Sequence, residues 1–499
     1  MVEHAEEATD ASTAAPEQDL LNTPQAGTAV IRGGTLRIAG YAVGVLVSVG
    51  SSAVLFRHLH TVAAGHYITI LSLVTLTAGI TDAGLSGIGV RELSTLAPEK
   101  ARAMFRNLFG IRMVLSLIGV LVALCFSLLS YPSTLVAGTL LAGVGVLFQT
   151  SQDTFAIPLQ ARLRLGWVTG VDAIRQLVTA VAIIALVVAG ASLLPFWGAA
   201  ALGGLAGTIA AASLVRGTFP LLPAFDLGVS MPLLRETAPF ALAAAVGAVY
   251  YRIAILVMSL VASAVQTGYF GASFRVMEVL IVVPQLLVGA SFPVFARAAR
   301  DDMVRFNYAV GRMVDVTLLV GLAAGLGVVT GAPFIIKVIA GAEFAPAAAV
   351  LRIQGLALIA SFIAASTAYG LLALRRYRAI LLVNLAVLAL SAVLTGVLAS
   401  SDGATGAATG VVIVEALYAV MLAVALHRAG ARPHVSRGSI PRALAAAGLG
   451  ALLLIPPGLP DIARPILALL VYAAAALLLG AVPEEILEQL RAIRGRAAR

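Results

Sequence analysis

Long apolar runs recur along almost the whole chain, and they decide what it can fold into. Runs of about 20 residues with few charges can cross the roughly 30 Å hydrocarbon core of a bilayer as helices. Of the 499 residues, 60% are hydrophobic and only 11% are charged. A soluble protein of this length needs more polar side chains on its surface. The sequence therefore predicts an all-α polytopic membrane protein with about fourteen transmembrane helices.

Basic residues are divided very unevenly between the two sides of these predicted spans. Of the 33 lysines and arginines, 27 fall on the side that holds the N-terminus, three on the opposite side and three inside spans. Cytoplasmic loops of membrane proteins carry such an excess of basic residues. We therefore expect both termini to be cytoplasmic and the net charge of +9 to face anionic membrane lipid, with no nucleic-acid partner.

The spans divide into two similar halves. Two turns of the type Arg-x-Arg, Arg162/Arg164 and Arg376/Arg378, lie 214 residues apart and connect spans of corresponding order. Two halves that start on the same side are related by an axis along the membrane normal. The predicted units are a disordered cytoplasmic tail (1–34), an N-terminal six-helix lobe (35–216), a C-terminal six-helix lobe (235–428), two extra transmembrane helices (440–482) and a cytoplasmic amphipathic tail (483–499).

Several ionisable residues fall inside predicted spans, where a charge is costly and usually faces a cavity or a partner. Arg275 and Glu278 are three residues apart on one helix and can form an ion pair. Arg252 lies deep in span seven and has no carboxylate on its own helical face, which favours a position in a cavity. For the other charges, including Asp82 and Glu415, structural ion pairs and functional positions both remain open.

Motifs for catalysis are missing from the sequence. It contains no phosphate-binding loop of the Walker type and no nucleophile–histidine–acid constellation. The single cysteine, Cys125, excludes both a disulfide framework and a cysteine metal site. Three histidines, His58, His60 and His66, crowd the first outer loop, where interfacial placement, pH sensing and metal binding are all conceivable. We expect a protein that is not an enzyme and that needs no cofactor or metal.

Four stretches together resemble polysaccharide flippases of the MOP (multidrug/oligosaccharidyl-lipid/polysaccharide) superfamily. The string TDAGLSGIGVRE at 81–92 resembles the hallmark at the end of span two in that family. YYRIAILVMSL, followed by a Gly-Tyr opening, an Arg-x-x-Glu pair and an inner proline, resembles spans seven and eight. VLRIQGLALIASF and LLALRRYRAI resemble span ten and the turn after it. The likeness covers about residues 30–480.

This resemblance implies a flippase in the bacterial inner (plasma) membrane. Such proteins move an undecaprenyl-diphosphate-linked oligosaccharide from the inner to the outer leaflet by alternating access of two lobes, coupled to an ion gradient. It implies that Arg252 and Arg275, with Tyr251 nearby, meet the diphosphate, and that Glu278 holds Arg275 or exchanges with the substrate. A glycan polymerase or glycosyltransferase is an implied partner, beside the lipid-linked oligosaccharide and membrane lipid.

The resemblance also implies a gate and a coupling residue. Asp82, Arg91 and Glu92 are the candidates for an ion-pair latch at the inner end of span two. Ala254 stands where many relatives carry an acidic residue, so Asp82 or Glu415 would have to serve in coupling. Two other functions remain open: a drug/cation antiporter of the same superfamily, and a non-transporting scaffold of a glycan-assembly complex.

Overall fold

A computed structural model describes residues 26–82, 84–436, 438–454 and 458–482. Helix is the regular secondary structure throughout this part of the chain. The helices are α1 Ala26–Asp82, α2 Leu85–Leu93, α3 Pro98–Ser130, α4 Ser133–Ala161, α5 Leu165–Val188, α6 Leu193–Val215, α7 Leu227–Val261, α8 Ala264–Asp301, α9 Met303–Ile339, α10 Ala347–Ala373, α11 Tyr377–Arg428, α12 Ser439–Ala451 and α13 Ala463–Leu478.

Nine helices within the described ranges are long and apolar enough to cross a bilayer, which confirms the predicted all-α polytopic class. Helices α1 and α11 each contain one non-helical residue, His60 (φ 57°) and Gly403 (φ 58°). Both breaks fall where a short loop between two spans is predicted, so each of these helices holds two predicted spans. Helices α12 and α13 have only 13 and 16 residues. The total of fourteen spans stays a prediction.

The two predicted tails lie largely outside the described residues. Helix α1 begins at Ala26, so the last nine residues of the segment predicted as a disordered tail, 26–34, are helical. Residues 1–25 and the predicted amphipathic tail, 483–499, are not described.

Side chains just before three helices determine where those helices begin. The Asp226 carboxylate accepts a hydrogen bond from the Gly228 amide (2.8 Å) at the start of α7. Ser263 accepts from the Gln266 amide at the start of α8. Asp302 accepts from the Val304 and Arg305 amides at 2.9 and 3.0 Å and so separates α8 from α9. Each cap satisfies amides that have no partner inside the helix, which contributes about 0.5–2 kcal/mol.

Backbone geometry supports the internal repeat. The turn between α4 and α5 has Leu163 at φ 56°, and the turn between α10 and α11 has Arg375 at φ 55°. In the first turn the Arg164 amide donates to the Leu159 carbonyl (2.8 Å); in the second the Arg376 amide donates to the Leu371 carbonyl (2.9 Å). The two turns match at an offset of 212 residues, whereas the Arg-x-Arg pattern gives an offset of 214. The difference arises because Arg164, not Arg162, corresponds to Arg376.

Helices α3 to α6 pack on one another and on α1, whereas α8 to α11 and α7 form a second group. Helices α12 and α13 pack on α9, mainly through small side chains such as Ala443, Ala446 and Ala468. The two groups meet where α1 contacts α7 and α8. Cavities that serve both groups must therefore lie beside these three helices.

The end of the bundle where α1 breaks is closed, and we call it the closed end (57–61, 263–270 and 337–344). Here Gly65 faces the Ala264 carbonyl and Gly268 faces the Thr61 carbonyl, so that α1 and α8 touch backbone to backbone. Phe344 packs against Phe56, with ring centroids 5.9 Å apart. Small residues permit such close approach of membrane helices. The opposite end, which holds Arg91, Arg297 and Arg375, is called the arginine-rich end.

Candidate functional site

Arg252 and Arg275 share a single carboxylate. Glu278 and Arg275 lie one turn apart on α8, and Arg275 Nη1 donates to Glu278 Oε2 at 2.8 Å, as their spacing predicts. Arg252 on α7 donates to the other oxygen, Oε1. All three side chains are largely buried, with 13%, 27% and 14% of the Arg252, Arg275 and Glu278 side chains exposed. The carboxylate that Arg252 lacks on its own helix is therefore supplied by α8.

Further contacts fix the two guanidinium groups. Arg275 donates to the hydroxyl groups of Ser52 (3.3 Å) and Ser48, so it connects α8 to α1. The Arg252 guanidinium carbon lies 5.7 Å from the centre of the Phe274 ring, in a cation–π contact. The Tyr251 side chain lies outside the described part of the molecule. Its predicted role stays a prediction.

These residues line a cavity of about 280 Å³ between α1, α4, α5, α7 and α8, which we call the arginine cavity. Arg175 and Gln176 of α5 complete its polar wall together with Gln149 of α4. Three arginines and one glutamate give the lining of the arginine cavity a positive excess, part of which Asp153, close to Arg175, offsets. Inside a bundle of apolar helices such an excess attracts anions strongly, because the low dielectric screens it little.

Sequence reasoning missed Arg175 and the two serines. Arg175 was counted with the basic residues of a loop, but it lies ten residues beyond Leu165, roughly 15 Å into α5. A signal was present: Asp172, Arg175 and Gln176 form a polar turn in a mostly apolar helix, and Ser48, Ser51 and Ser52 do the same in α1.

Asp82 belongs to a different cluster. Its carboxylate accepts from Arg112 of α3 at 2.8 Å and from Ser86 of α2 at 2.6 Å, and Arg112 also donates to Ser86. Arg112 is 2% exposed, although the sequence placed it among the loop arginines. Gly84, at φ 79°, provides the break between α1 and α2 that turns Ser86 toward Asp82. The structure thus places Asp82 in an interhelical ion pair, one of the two possibilities that the sequence leaves open for it.

Arg91 and Glu92, the other two members of the predicted latch, lie apart from Asp82. Arg91 donates to Glu92 at 2.7 Å, and the Arg91 side chain is 64% exposed. An exposed pair of adjacent residues contributes little to stability. The structure therefore divides the three predicted latch residues between a buried cluster and a surface pair.

Glu415 lies among the C-terminal helices, away from the arginine cavity. The Tyr250 hydroxyl donates to Glu415 Oε1 at 2.6 Å, and the Ser361 hydroxyl donates to Oε2 at 2.7 Å. The ring of Tyr418 lies 5.6 Å from that of Tyr250. Two neutral donors thus hold this carboxylate, in contrast to Glu278, which is held by two cations.

Three outer-loop histidines do not converge. His58 contacts the Ala191 carbonyl at 2.8 Å, and His60 Nδ1 contacts Glu343 Oε2 at 2.6 Å at the closed end. The His60–Glu343 pair connects the break in α1 to the turn between α9 and α10. Arg57 adds a second connection there by donating to the Val338 carbonyl at 2.8 Å.

A sequence profile of polysaccharide biosynthesis proteins matches residues 30–299, more than half of the chain. The chain belongs to the polysaccharide biosynthesis protein family. The matched segment includes Asp82, Arg252, Arg275 and Glu278, but it ends before Glu415. No curated protein sequence matches the chain.

Solved structures with the same fold include transporters of the MOP superfamily. An inward closed conformation of the lipid II flippase MurJ has a TM-score of 0.75 at 12% identity, over 89% of this chain and 98% of its own. An inward-facing MATE-family multidrug resistance transporter has a TM-score of 0.66 at 14% identity, over 79% of this chain and 98% of its own. An outward-facing MATE-family transporter has a TM-score of 0.55 at 15% identity, over 84% of this chain and 99% of its own. At these identities the likenesses show a shared fold, and the resemblance read from the sequence is confirmed.

Within this polysaccharide biosynthesis protein, the place of Ala254 adds a spatial relation that the sequence does not reveal. Ala254 of α7 and Glu415 of α11 line the same small pocket of about 30 Å³, together with Tyr250 and the fully buried Gln354. Neither side-chain amide atom of Gln354 has a hydrogen-bond partner there. A carboxylate at position 254 and one at position 415 would therefore occupy the same pocket, although they lie on different helices.

Proposed function

We propose that this protein is a flippase that moves an undecaprenyl-diphosphate-linked oligosaccharide from the inner to the outer leaflet of a bacterial inner membrane. Membership of the polysaccharide biosynthesis family and the fold shared with lipid and drug transporters support a MOP-superfamily flippase of lipid-linked substrates. The observation that carries the proposal is the arginine cavity, where Arg252 and Arg275 share the Glu278 carboxylate and Arg175 lines the same cavity.

The chemistry of that cavity suits a diphosphate. Guanidinium groups bind phosphate oxygens through paired, charge-assisted hydrogen bonds. Glu278 currently accepts from both Arg252 and Arg275, so it occupies the position that an anionic ligand would take. An incoming diphosphate would replace Glu278 on one guanidinium. When the diphosphate leaves, Glu278 returns, and the two arginines are never without a counter-charge.

Alternating access fits the arrangement of α1, α7 and α8. The closed end is held by the contacts of Gly65, Gly268 and the His60–Glu343 pair, while the larger cavities open toward the arginine-rich end. With the arginine-rich end in the cytoplasm, as the distribution of basic residues favours, this is an inward-facing arrangement. Both termini would then be cytoplasmic. A glycosyltransferase would deliver the substrate on that side, and a polymerase on the far side would receive the flipped substrate.

For coupling to an ion gradient we favour Glu415 over Asp82. Asp82 is held by Arg112, a permanent cation that favours the ionised carboxylate. Glu415 is held by the hydroxyl groups of Tyr250 and Ser361, which can also accept hydrogen bonds, so it can exist protonated or ionised. It also shares the pocket of Ala254, where relatives carry an acid. Glu415 would thus replace that acid.

The positive excess of the arginine cavity disfavours the drug/cation antiporter, which would need a cleft dominated by carboxylates. A non-transporting scaffold would have no need for three arginines directed into a cavity between the two helix groups. The flipping assay decides the scaffold, and displacement by an organic cation, described below, decides the antiporter.

The test is transport by the purified full-length protein in vesicles. Arg252→Ala should reduce flipping of the lipid-linked oligosaccharide at least tenfold, and Arg252→Lys should recover only part of it, since lysine cannot form paired hydrogen bonds. Arg428→Ala, at an exposed position at the end of α11, is the matched control. Unchanged flipping by Arg252→Ala would contradict the diphosphate role. No flipping by the wild type would favour the scaffold.

A further inference from the structure

A second large cavity lies within the C-terminal helix group, and the function proposed above assigns it no ligand; Glu415, the proposed coupling residue, is part of its lining. It measures about 700 Å³ and is enclosed by α7, α8, α10 and α11. Four of the eleven tyrosines of the chain line it: Tyr250, Tyr369, Tyr377 and Tyr418. We call it the tyrosine cavity. Its volume falls within the range of small-molecule sites, about 300–1,000 Å³.

The walls of the tyrosine cavity combine aromatic, amide and very small side chains. Gln285 of α8 and Asn384 of α11 supply amides, and the Asn384 amide also donates to the Ala243 carbonyl at 3.4 Å. Tyr369 is half-buried, and its ring rests edge-on against Phe292 with the centroids 5.8 Å apart. Alanines of α10 fill the space between these polar groups, and their small size is what leaves the cavity open.

We propose that the tyrosine cavity binds the saccharide portion of the lipid-linked substrate. Pyranose rings offer apolar C–H faces that stack on aromatic rings, and hydroxyl groups that need hydrogen-bond partners at the edge. Amides and tyrosine hydroxyls both donate and accept, so they satisfy neutral hydroxyl groups without adding charge. This inference rests on the proposed function, because it assumes that the substrate carries both a diphosphate and sugars.

The route into the tyrosine cavity favours an anionic substrate over an organic cation. A third cavity of about 750 Å³ adjoins it at the arginine-rich end and shares Leu372 and Tyr377 with it. Arg297, Arg300 and Arg375 line this mouth. Arginines at the mouth repel a cation that arrives from that side and attract a lipid diphosphate. Without the arginines at the mouth, the four tyrosines around the Glu415 carboxylate would suit a cation equally well.

The tyrosine cavity and the arginine cavity are close enough to hold one molecule. Phe274 lines both the arginine cavity and the small pocket of Glu415, and Tyr250 lines both that pocket and the tyrosine cavity. Tyr250 and Arg252 are two residues apart on α7, about 3 Å along its axis. The two cavities therefore lie on different faces of α7, and the pocket of about 30 Å³ between them has room for about one water molecule, so the sugars and the diphosphate of one substrate occupy them together only after this pocket widens.

The experiment compares two ligands of the full-length protein in nanodiscs. One is the lipid-linked oligosaccharide that accumulates in cells from which the gene is deleted; the other is undecaprenyl diphosphate without sugars. Tyr369→Ala should weaken binding of the oligosaccharide lipid about tenfold and leave binding of the bare diphosphate unchanged. Tyr369→Phe should keep most of the affinity, since it retains the ring. Arg252→Ala should weaken both ligands, and Tyr308→Ala, on the exposed surface of α9, should weaken neither.

Four results would overturn the saccharide site. If Tyr369→Ala weakened both ligands equally, or weakened neither, the tyrosine cavity would not bind the saccharide. Displacement of the oligosaccharide lipid by tetraphenylphosphonium in the wild type, abolished by Tyr369→Ala, would identify a cation site. If the wild type binds neither lipid, the proposed function fails and the saccharide site fails with it. If Tyr369→Ala does not show the expected selective loss but Arg252→Ala weakens both ligands, only the saccharide site fails, and the diphosphate role of Arg252 stands.

Discussion

Glu278→Gln tests whether this carboxylate competes with the substrate for the arginines. Glu278 accepts from Arg252 and, at 2.8 Å, from Arg275, and its side chain is 14% exposed. A hydrogen bond to a charged group is worth about 1.5–3 kcal/mol. If the diphosphate must displace one such bond, its removal should tighten binding of undecaprenyl diphosphate by roughly 10- to 100-fold.

The same substitution should slow transport and lower stability. Glutamine removes the carboxylate charge that two neighbouring guanidinium groups share, and breaking a buried pair costs about 3–5 kcal/mol at full burial. Partial exposure reduces this cost, so we expect about half of it in the free energy of unfolding. Tighter binding without return of a counter-charge should also slow release. The assays are equilibrium binding and single-turnover flipping in vesicles.

Glu99→Gln serves as a control because it removes an exposed carboxylate in the first turn of α3, which lines none of the cavities described above. Unchanged or weaker binding of undecaprenyl diphosphate by a folded Glu278→Gln protein would refute the competition. Stronger binding with faster transport would refute the idea that Glu278 promotes release. Both quantities are needed, since tighter binding alone also follows from any gain of positive charge.

Three further predictions concern the other clusters. Glu415→Gln should leave lipid binding intact but abolish the dependence of flipping on a transmembrane pH gradient, measured in vesicles with and without the gradient. Asp82→Asn should lower the unfolding free energy by about 1–2 kcal/mol in denaturant titrations, because buried Arg112 loses one ion-pair partner, whose own side chain is 43% exposed. A hydrogen bond from His60 holds the pKa of the Glu343 carboxyl below its usual 4.5. The His60–Glu343 contact is therefore fully formed above pH 4.5, and it is lost as the pH falls through the lowered pKa of Glu343. Spin-label distances across the closed end should show this loss, and Glu343→Gln should remove their pH dependence.

Contacts within one helix could be predicted from the sequence, whereas contacts between helices could not. The spacing of Arg275 and Glu278 fixes a pair on one helical face, and the structure contains it. That Glu278 also serves Arg252 depends on how α7 and α8 are rotated against each other, which no local pattern encodes. The same holds for Asp82, whose partner Arg112 comes from α3.

Two errors have a common physical origin. Arg112 and Arg175 were assigned to loops because basic residues near span ends normally lie in the cytoplasm. In the structure they belong to α3 and α5 themselves, where polar partners or a cavity offset the cost of burial. The distribution rule counts charges by side and says nothing of how far a long side chain extends into the bundle.

The relation between Ala254 and Glu415 shows the same limit. In the sequence, the acid expected in span seven is simply missing, and Glu415 is one of two substitutes. The fold places both residues on one pocket of about 30 Å³. A position in a pocket can thus be kept while the helix that supplies the side chain changes.

The glycine contacts between α1 and α8 have a consequence for how easily the closed end can part. At Gly65 and Gly268 the helices meet through backbone atoms, with no side chains to interlock. Separation at these two points needs no rotamer changes, whereas the neighbouring apolar contacts of α1 and α8, such as Ile68 against Gly271, must break when the helices part. Phe56, Phe344 and the His60–Glu343 pair form a rim that adds to this resistance. The rim combines two buried rings with one exposed ion pair, so the timing of opening can be adjusted at the His60–Glu343 pair without any change to the helices that move.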